Sequence, residues 1–436
     1  MSKLSAIIPF LSASLILFNA CQNTSLRPAA PILQAQNNSA SPLKGKRHGD
    51  ILPGEYIVKL KAGTRNIQAL LAELGPARQL AKSDLFLVQQ SSDAKIQTLS
   101  RSGQLEFFEP NRVIRVQAVR ETAQTVLRRD PVAGPNDELF SQQYAHQMTH
   151  AAEGWALASQ IKPAKTDIPT IAIVDSGIDR HHPDLKERIA GSYNVFNPSY
   201  PNGALYDPFG HGTHCAGIAA ALVNNAIGVA GVAPQVQLVG VKVLDEEGAG
   251  TNAGVAEGIM WATDSHVTIM NLSLGSLKSS IAIRDAVLRA IRENVLVVAA
   301  MGNEGTEDPS YPAAYEDVMA IGSTNSQDEK SNFSQFGKHI SVAAPGSQIL
   351  STLPTYGNGF EGKNYGKVSG TSMAAPYVAG LAALVKATYP HLGAPGLRKA
   401  IELGAEDKGE PGFDKFFGHG RVSVPGALRA ASKLPR

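Results

Sequence analysis

At 436 residues the chain is long for one domain and points to two folded units plus tails. A hydrophobic content of 43% with 41 glycines belongs to a globular protein with many tight turns and excludes a disordered one. A net charge of +2 without a long basic run argues against nucleic acid as a partner, and two cysteines, Cys21 and Cys215, are too few for a disulfide scaffold.

Residues 1–20 read as an export signal. Lys3 precedes an apolar run over 6–18, of signal-peptide length and too short to span a bilayer. The run ends Leu17-Phe18-Asn19-Ala20-Cys21, which is similar to a bacterial lipoprotein processing site, although Phe18 and Asn19 depart from the small or aliphatic residues usual there. Cys21 is therefore a candidate for lipidation; the alternative is an ordinary signal peptide with an incidental cysteine. Residues 21–50 are rich in Asn, Ser, Pro and Ala and lack apolar periodicity, so they read as a polar tether.

The first folded unit is expected over 51–117. Glu55-Tyr56-Ile57-Val58-Lys59-Leu60 alternates as a strand, and the spacing over 67–74 predicts a helix. A strand over 85–88, a helix over 94–99 and closing strand material over 105–116 complete a small α+β unit. Residues 118–135 are polar and end in Asp-Pro and Gly-Pro turns, as an exposed linker would.

From 136 to 436 apolar runs alternate with helical patterns, which predicts a parallel sheet covered on both faces. Buried strands are expected at 171–174, 236–244, 267–272, 295–299 and 318–321, with an amphipathic helix over 283–291. Pro376 suits a first helical turn, which predicts a helix over 377–389. Its small residues, among them Ala379, Gly380, Ala382 and Ala383, suit close packing at the centre of the domain.

Chemistry-bearing residues fall at the ends of these elements. Ile171-Ala172-Ile173-Val174-Asp175 runs from a buried strand into a Ser-Gly turn, leaving Asp175 at the carboxyl edge where open α/β sheets place ligands. His211 opens a helix, and Ser372 stands at a helix N-terminus, where unpaired N–H groups favour negative charge. Brought together, Ser372 would attack, His211 would take its proton, and Asp175 would fix the imidazole tautomer. Asn303, after the run 295–300, can donate to an oxyanion beside the Ser372 N–H. A zinc pair at His211 and His214 is an alternative, without a His-Glu-x-x-His sequence or an obvious third ligand. An α/β-hydrolase would need its acid and histidine after the serine, whereas here both precede it.

Taken together, Asp175-Ser176-Gly177, His211-Gly212-Thr213-His214, Gly302-Asn303-Glu304-Gly305 and Gly370-Thr371-Ser372-Met373-Ala374-Ala375-Pro376 resemble the subtilisin superfamily of serine proteases, over residues 136–432. The order of elements in the first unit, with Tyr56-Ile57-Val58 and Phe108-Glu109-Pro110-Asn111, is similar to the propeptides of that superfamily. The resemblance implies a three-layer α/β fold, a parallel sheet with helices on both faces, preceded by a small α+β propeptide. It implies a serine endopeptidase made as a self-inhibited zymogen, acting as a monomer on protein or peptide substrates. Ser273, Leu274 and Gly275, together with Ala300, Met301 and Gly302, would line the primary specificity pocket and pair with the substrate backbone, with Glu304 near the pocket's far end. The turn 222–229 resembles the superfamily's tight calcium loop. It implies Ca²⁺ held by carboxylates of Asp137 and Asp184, the side chain of Asn225 and carbonyls of Leu222, Ile227 and Val229; a plain Asn-rich turn is the alternative. Export is expected, with the precursor tethered through Cys21 if that residue is lipidated and the mature enzyme released.

Overall fold

A computed structural model of the chain describes residues 41, 43–116, 119, 134–161 and 168–435. The export segment, Cys21, most of the tether and most of the linker expected at 118–135 lie outside these. Ser41–Arg436 forms one compact unit.

Its N-terminal part is an α+β layer of β1 (Ile51–Leu60), α1 (Ile67–Leu74), β2 (Ala77–Gln79), β3 (Leu85–Val88), α2 (Asp93–Arg101) and β4 (Leu105–Arg115). The strands pair antiparallel in the order β2-β3-β1-β4. The period-two alternation of β1 decides its packing. Tyr56, Val58 and Leu60 join Leu70, Leu71, Leu74 and Ile96 under the two helices, whereas Ile57 faces the opposite way with Leu85 and Leu87. The last residues before β1 do not behave as a tether: Leu43 is buried with Leu52, Val113 and Ala249.

The C-terminal part contains α3 (Tyr144–Met148), α4 (Ala151–Gln160), β5 (Thr170–Asp175), β6 (Ile189–Asn194), α5 (His211–Ala220), β7 (Gln237–Lys242), β8 (Ala249–Thr251) and α6 (Asn252–Asp264). It continues with β9 (Ile269–Leu272), α7 (Ile281–Arg292), β10 (Leu296–Ala300), β11 (Met319–Thr324), β12 (Ile340–Pro345), β13 (Ile349–Thr352) and β14 (Tyr365–Val368). It closes with α8 (Thr371–Thr388), α9 (Ala394–Gly404) and α10 (Val424–Ala431). Seven parallel strands lie in the order β12-β11-β10-β9-β5-β7-β6. The two sheet faces carry separate cores. One is built with α5, α8, α9 and α10, the other with α6 and α7, against which the N-terminal sheet also rests.

The expected strands and the amphipathic helix are present within a few residues of their sequence bounds. The helix after the serine differs. It begins at Thr371, so Ser372 lies inside its first turn and Pro376 in its second. Proline has no N–H to return to the Ser372 carbonyl, and that oxygen is held instead by Ser273 Oγ at 2.8 Å and Cys215 Sγ at 3.4 Å. Small residues matter here: a Cβ on Gly380 would lie 2.7 Å from the Ala219 carbonyl oxygen, so α8 and α5 cross too closely for any side chain.

Candidate active site

The order of strands in the sheet gathers the chemistry at one edge. β5 lies beside β9, and β9 beside β10, all parallel, so Asp175, Ser273 and Asn303 emerge at the same carboxyl edge. The chain winds one way from β9 to β12 and the other way through β7 and β6, which opens a crevice at that edge.

Asp175 is fully buried, with Oδ1 accepting from the Ser176 N–H at 2.7 Å. The Nδ1 of His211 lies 2.8 and 2.9 Å from its two oxygens. An acceptor pair at Nδ1 fixes the proton there and leaves Nε2 as the ring's basic nitrogen. Burial of the ring opposes its protonation, but the Asp175 carboxylate wins, holding the His211 pKa well above the usual histidine value. Asp207, also fully buried, places the histidine: its carboxylate accepts from the N–H groups of Gly210 and Thr213, each at 2.8 Å, and so caps α5. The sequence assigns Asp207 no role at the site; its place four residues before a helix-opening histidine is the available sign.

Ser372 Oγ donates to the Ser273 carbonyl at 3.2 Å. The amide of Asn303 is oriented without ambiguity, because Oδ1 accepts from both the N–H and the Oγ1 of Thr371, at 2.9 and 2.8 Å. Two donors on one atom identify it as oxygen, so Nδ2 is left to face outward. A Cβ on Gly370 would lie 3.4 Å from that Nδ2 and 3.5 Å from the Ser372 nitrogen. The Asn303 Nδ2 and the Ser372 nitrogen therefore lie on one side of Gly370, close enough together to serve a single oxyanion. Cys215, one helical turn after His211, brings Sγ to 3.9 Å from His211 Nδ1. Burial raises the pKa of this thiol, which keeps it neutral behind the imidazole.

A pocket opens next to Ser372, lined by Ser273, Leu274, Gly275, Ala300, Gly302 and Glu304. A Cβ on Gly302, at φ 108°, would meet Gln335 Oε1 at 1.6 Å, so only glycine leaves this wall intact. The sequence profile of the subtilase family matches residues 167–420, which hold all of these groups.

The chain belongs to the subtilase family.

It is 41% identical to thermitase of Thermoactinomyces vulgaris over 297 residues, covering 68% of this chain and 99% of that protein. It is 38% identical to subtilisin E of Bacillus subtilis over 317 residues, 71% and 79% of the two chains. Over 388 residues it is 33% identical to a thermophilic serine proteinase of Bacillus sp. strain AK1, covering 87% of this chain and 88% of that one. That match takes in more residues than the C-terminal part can supply, so it continues into the α+β layer. The chain is a subtilisin-like serine protease, a hydrolase acting on protein or peptide chains.

One pocket expectation needs correction, and the zinc alternative finds no support. Met301 does not line the pocket; it is fully buried in the core on the α6–α7 side of the sheet. His214 is no partner of His211 in a zinc pair, because its Nε2 lies 3.1 Å from the Gly366 carbonyl. Among the described residues, the one cluster of three metal-binding side chains is Asp175, His211 and Cys215, which does not include His214.

The turn 222–229, expected to hold Ca²⁺, fits a hard cation in part. Asp137 is buried, with Oδ2 accepting from the Asn224 N–H at 2.9 Å while Oδ1 has no partner. Burial first, and the nearby Asp184 charge in addition, raise the Asp137 pKa. Asp184 accepts from Asn225 Nδ2 at 2.6 Å, Tyr365 Oη at 2.9 Å and the Val229 N–H at 3.1 Å. Asn225 thus turns its nitrogen toward Asp184, and its oxygen accepts from Ile227 at 3.1 Å. It does not present the oxygen expected of a ligand. An orphaned buried carboxylate oxygen close to a second carboxylate is still what a cation site requires.

Proposed function

We propose that this subtilase is a self-inhibited precursor, cut by its own active site at the C-terminal end of its α+β layer. The observation that carries the reading is the course of β4. Val113, Ile114 and Arg115 pair antiparallel with Thr251, Gly250 and Ala249 of β8, and Val116 donates to the Gly248 carbonyl and lines the pocket of Ser372. Val119 pairs with Ser369, three residues before the serine on the far side. Two residues separate Val116 from Val119, so on this reading the bond to be cut falls between them, just before or at the first residue of the 118–135 linker. The α+β layer is anchored as an inhibitor would be. Glu109 accepts from the Ile281 and Ala282 N–H groups at 2.9 and 3.1 Å, capping α7, and Asn111 Oδ1 accepts from Ala253 at 3.1 Å in the first turn of α6. Lys59 and Arg78 make ion pairs with Asp285 and Glu257.

In the reaction, the Ser372 hydroxyl leaves the Ser273 carbonyl and attacks the scissile carbon, and His211 Nε2 takes its proton. Asn303 Nδ2 and the Ser372 N–H hold the oxyanion, and Asp175 stabilises the imidazolium. His211 then protonates the departing amine, and water, deprotonated by the same nitrogen, releases the acyl group. Asp137 and Asp184, with carbonyls of Leu222, Ile227 and Val229, would hold a structural Ca²⁺. The N-terminal segment directs export, with a lipid on Cys21 confining the precursor to a membrane until self-cleavage.

Ser372→Ala tests the reading directly. The wild-type chain should react with a fluorophosphonate at Ser372 and yield a soluble species beginning at residue 117, 118 or 119. The variant should remain unlabelled, full-length and membrane-bound. A variant cleaved at the same bond in a host lacking other proteases would refute self-processing.

A further inference from the structure

Residues 43–50 are tied to β4 more closely than a lead-in to β1 requires. Between β1 and the cleft they run along the edge of β4 that β8 does not cover. The Gly49 N–H donates to the Val113 carbonyl at 2.8 Å, and the Val113 N–H donates to the Asp50 carbonyl at 2.9 Å. One step nearer Ser372, the Arg115 N–H donates to His48 Nδ1 at 3.0 Å. His48 lines the pocket along with Ser273, Leu274 and Gly275, the stretch expected to pair with a substrate backbone. At this position a histidine side chain, not the enzyme's own edge, satisfies the strand in the cleft. Burial lowers the pKa of His48, in keeping with a neutral ring whose Nδ1 can accept.

The side chain of Arg115 binds the same segment. Its Nε and Nη2 donate to the carbonyls of Lys46 and Leu43 at 2.8 and 2.9 Å, while Nη2 also lies 3.6 Å from the Glu247 carboxylate across the cleft. Leu43 inserts between Leu52, Val113 and Ala249, so one apolar side chain joins the segment, β4 and β8. Ser41 Oγ adds a hydrogen bond to Asp245 on the enzyme side. These contacts require a folded-back path, which Gly45 and Gly49 allow at φ 75° and 82°.

We propose that residues 43–50 are a clasp that locks β4 into the cleft, so that the N-terminal layer inhibits through two segments instead of one. The proposal rests on the inhibitory reading above and adds that the lifetime of the inhibited complex is set partly outside the α+β fold. Contacts that close over a bound strand act mainly on its dissociation.

The full chain supplies the test. Hydrolysis of a chromogenic peptide is followed from the start of self-processing, and the lag before full activity reports loss of the inhibitory layer. Leu43→Asp should shorten the lag on the order of tenfold, and His48→Ala about three- to tenfold, since each removes buried or hydrogen-bonded contacts of the clasp. The final rate should not change, because neither residue remains in the mature enzyme. Amide exchange on full-length Ser372→Ala separates this from simple unfolding. The clasp variants should lose protection at Val113 and Arg115 while β1 residues 56–59 and β3 stay protected. Leu71→Ala, in the layer's own core, should instead loosen all of them. A wild-type lag unaltered by Leu43→Asp and His48→Ala overturns the clasp alone. So does loss of protection across β1 and β3 in the clasp variants. A wild-type chain with no lag overturns the inhibitory reading and the clasp with it.

Discussion

Two buried carboxylates in this subtilase are completed in different ways. Asp175 has its oxygens engaged by His211 Nδ1 and the Ser176 N–H, so the protein itself satisfies the charge. Asp137, equally out of solvent, keeps Oδ1 without a partner, and a second carboxylate lies near enough to raise its pKa further. A buried charge left one contact short is costly. The first corner is finished by folding. The second keeps a buried carboxylate oxygen without a hydrogen-bond partner.

The largest effect expected belongs to the finished corner. Thr371 holds the Asn303 oxygen, leaving only Nδ2 free to act. Asn303→Ala should lower kcat by about 10²–10³ with little change in KM, as for an oxyanion donor in other subtilisin-type enzymes. Steady-state kinetics on the mature enzyme decide it, and an unchanged kcat would take Asn303 out of the reaction. Asn303→Asp sharpens the comparison, because it keeps the acceptor for Thr371 while placing an oxygen where the donor stood. It should be no better than alanine.

The unfinished corner should answer to solution conditions instead. If the folded loop alone binds Ca²⁺, an ion concentration a hundredfold above Kd adds about 2.7 kcal/mol of stability. For a unit of this size that is roughly 3 °C in Tm. Chelation should remove the increment from the Ser372→Ala protein, and Asp137→Asn should make it insensitive to chelator. A Tm indifferent to both calcium and EDTA would show that Asp137 is tolerated as it stands, and the contrast between the corners would fail.

Much of this was legible in the sequence because it rests on local signals. Apolar runs ending in Asp-Ser-Gly or Gly-Asn announce strands that deliver a polar residue to the sheet edge, and Asp175 and Asn303 lie there. Helix-opening residues likewise placed His211 and Ser372. What could not be read depends on partners far along the chain. Met301 follows a buried strand as its neighbours do, and only the pleat decides that its side chain turns to the core. Residues 43–50 are polar and aperiodic, yet order comes to them from Arg115 and Ala249, well over sixty residues away. The start of α8 was misplaced because Pro376 usually marks a first turn. Here Ser273 and Cys215 take over the carbonyl that proline abandons.

The smallest expected effect concerns how completely Asp175 is matched by His211. Influences compete at the imidazole: burial lowers its pKa, while the Asp175 carboxylate and, after it, Cys215 raise it, and the raising side prevails. Asp175 and His211 both belong to the C-terminal part, so the raising partner stays beside the ring whether or not the N-terminal layer is present. The direction therefore holds in the mature enzyme. A general base must be neutral, so kcat/KM should fall tenfold per unit of pH on the acid side. The midpoint should lie above the unperturbed histidine value of about 6.5. Stability moves the other way. With a folded-state pKa above the unfolded one, His211 contributes stability in full below about pH 6.5, and that contribution is lost as pH rises through the folded value. Activity thus appears over the same window in which this stabilisation fades. Asp175→Asn removes the larger raising partner, so the acid limb of its residual activity should shift below that of wild type. The pH profile of kcat/KM for both proteins measures this. A wild-type midpoint at or below 6.5, or one unmoved in Asp175→Asn, would mean that the aspartate fixes the ring's orientation without stabilising its charge.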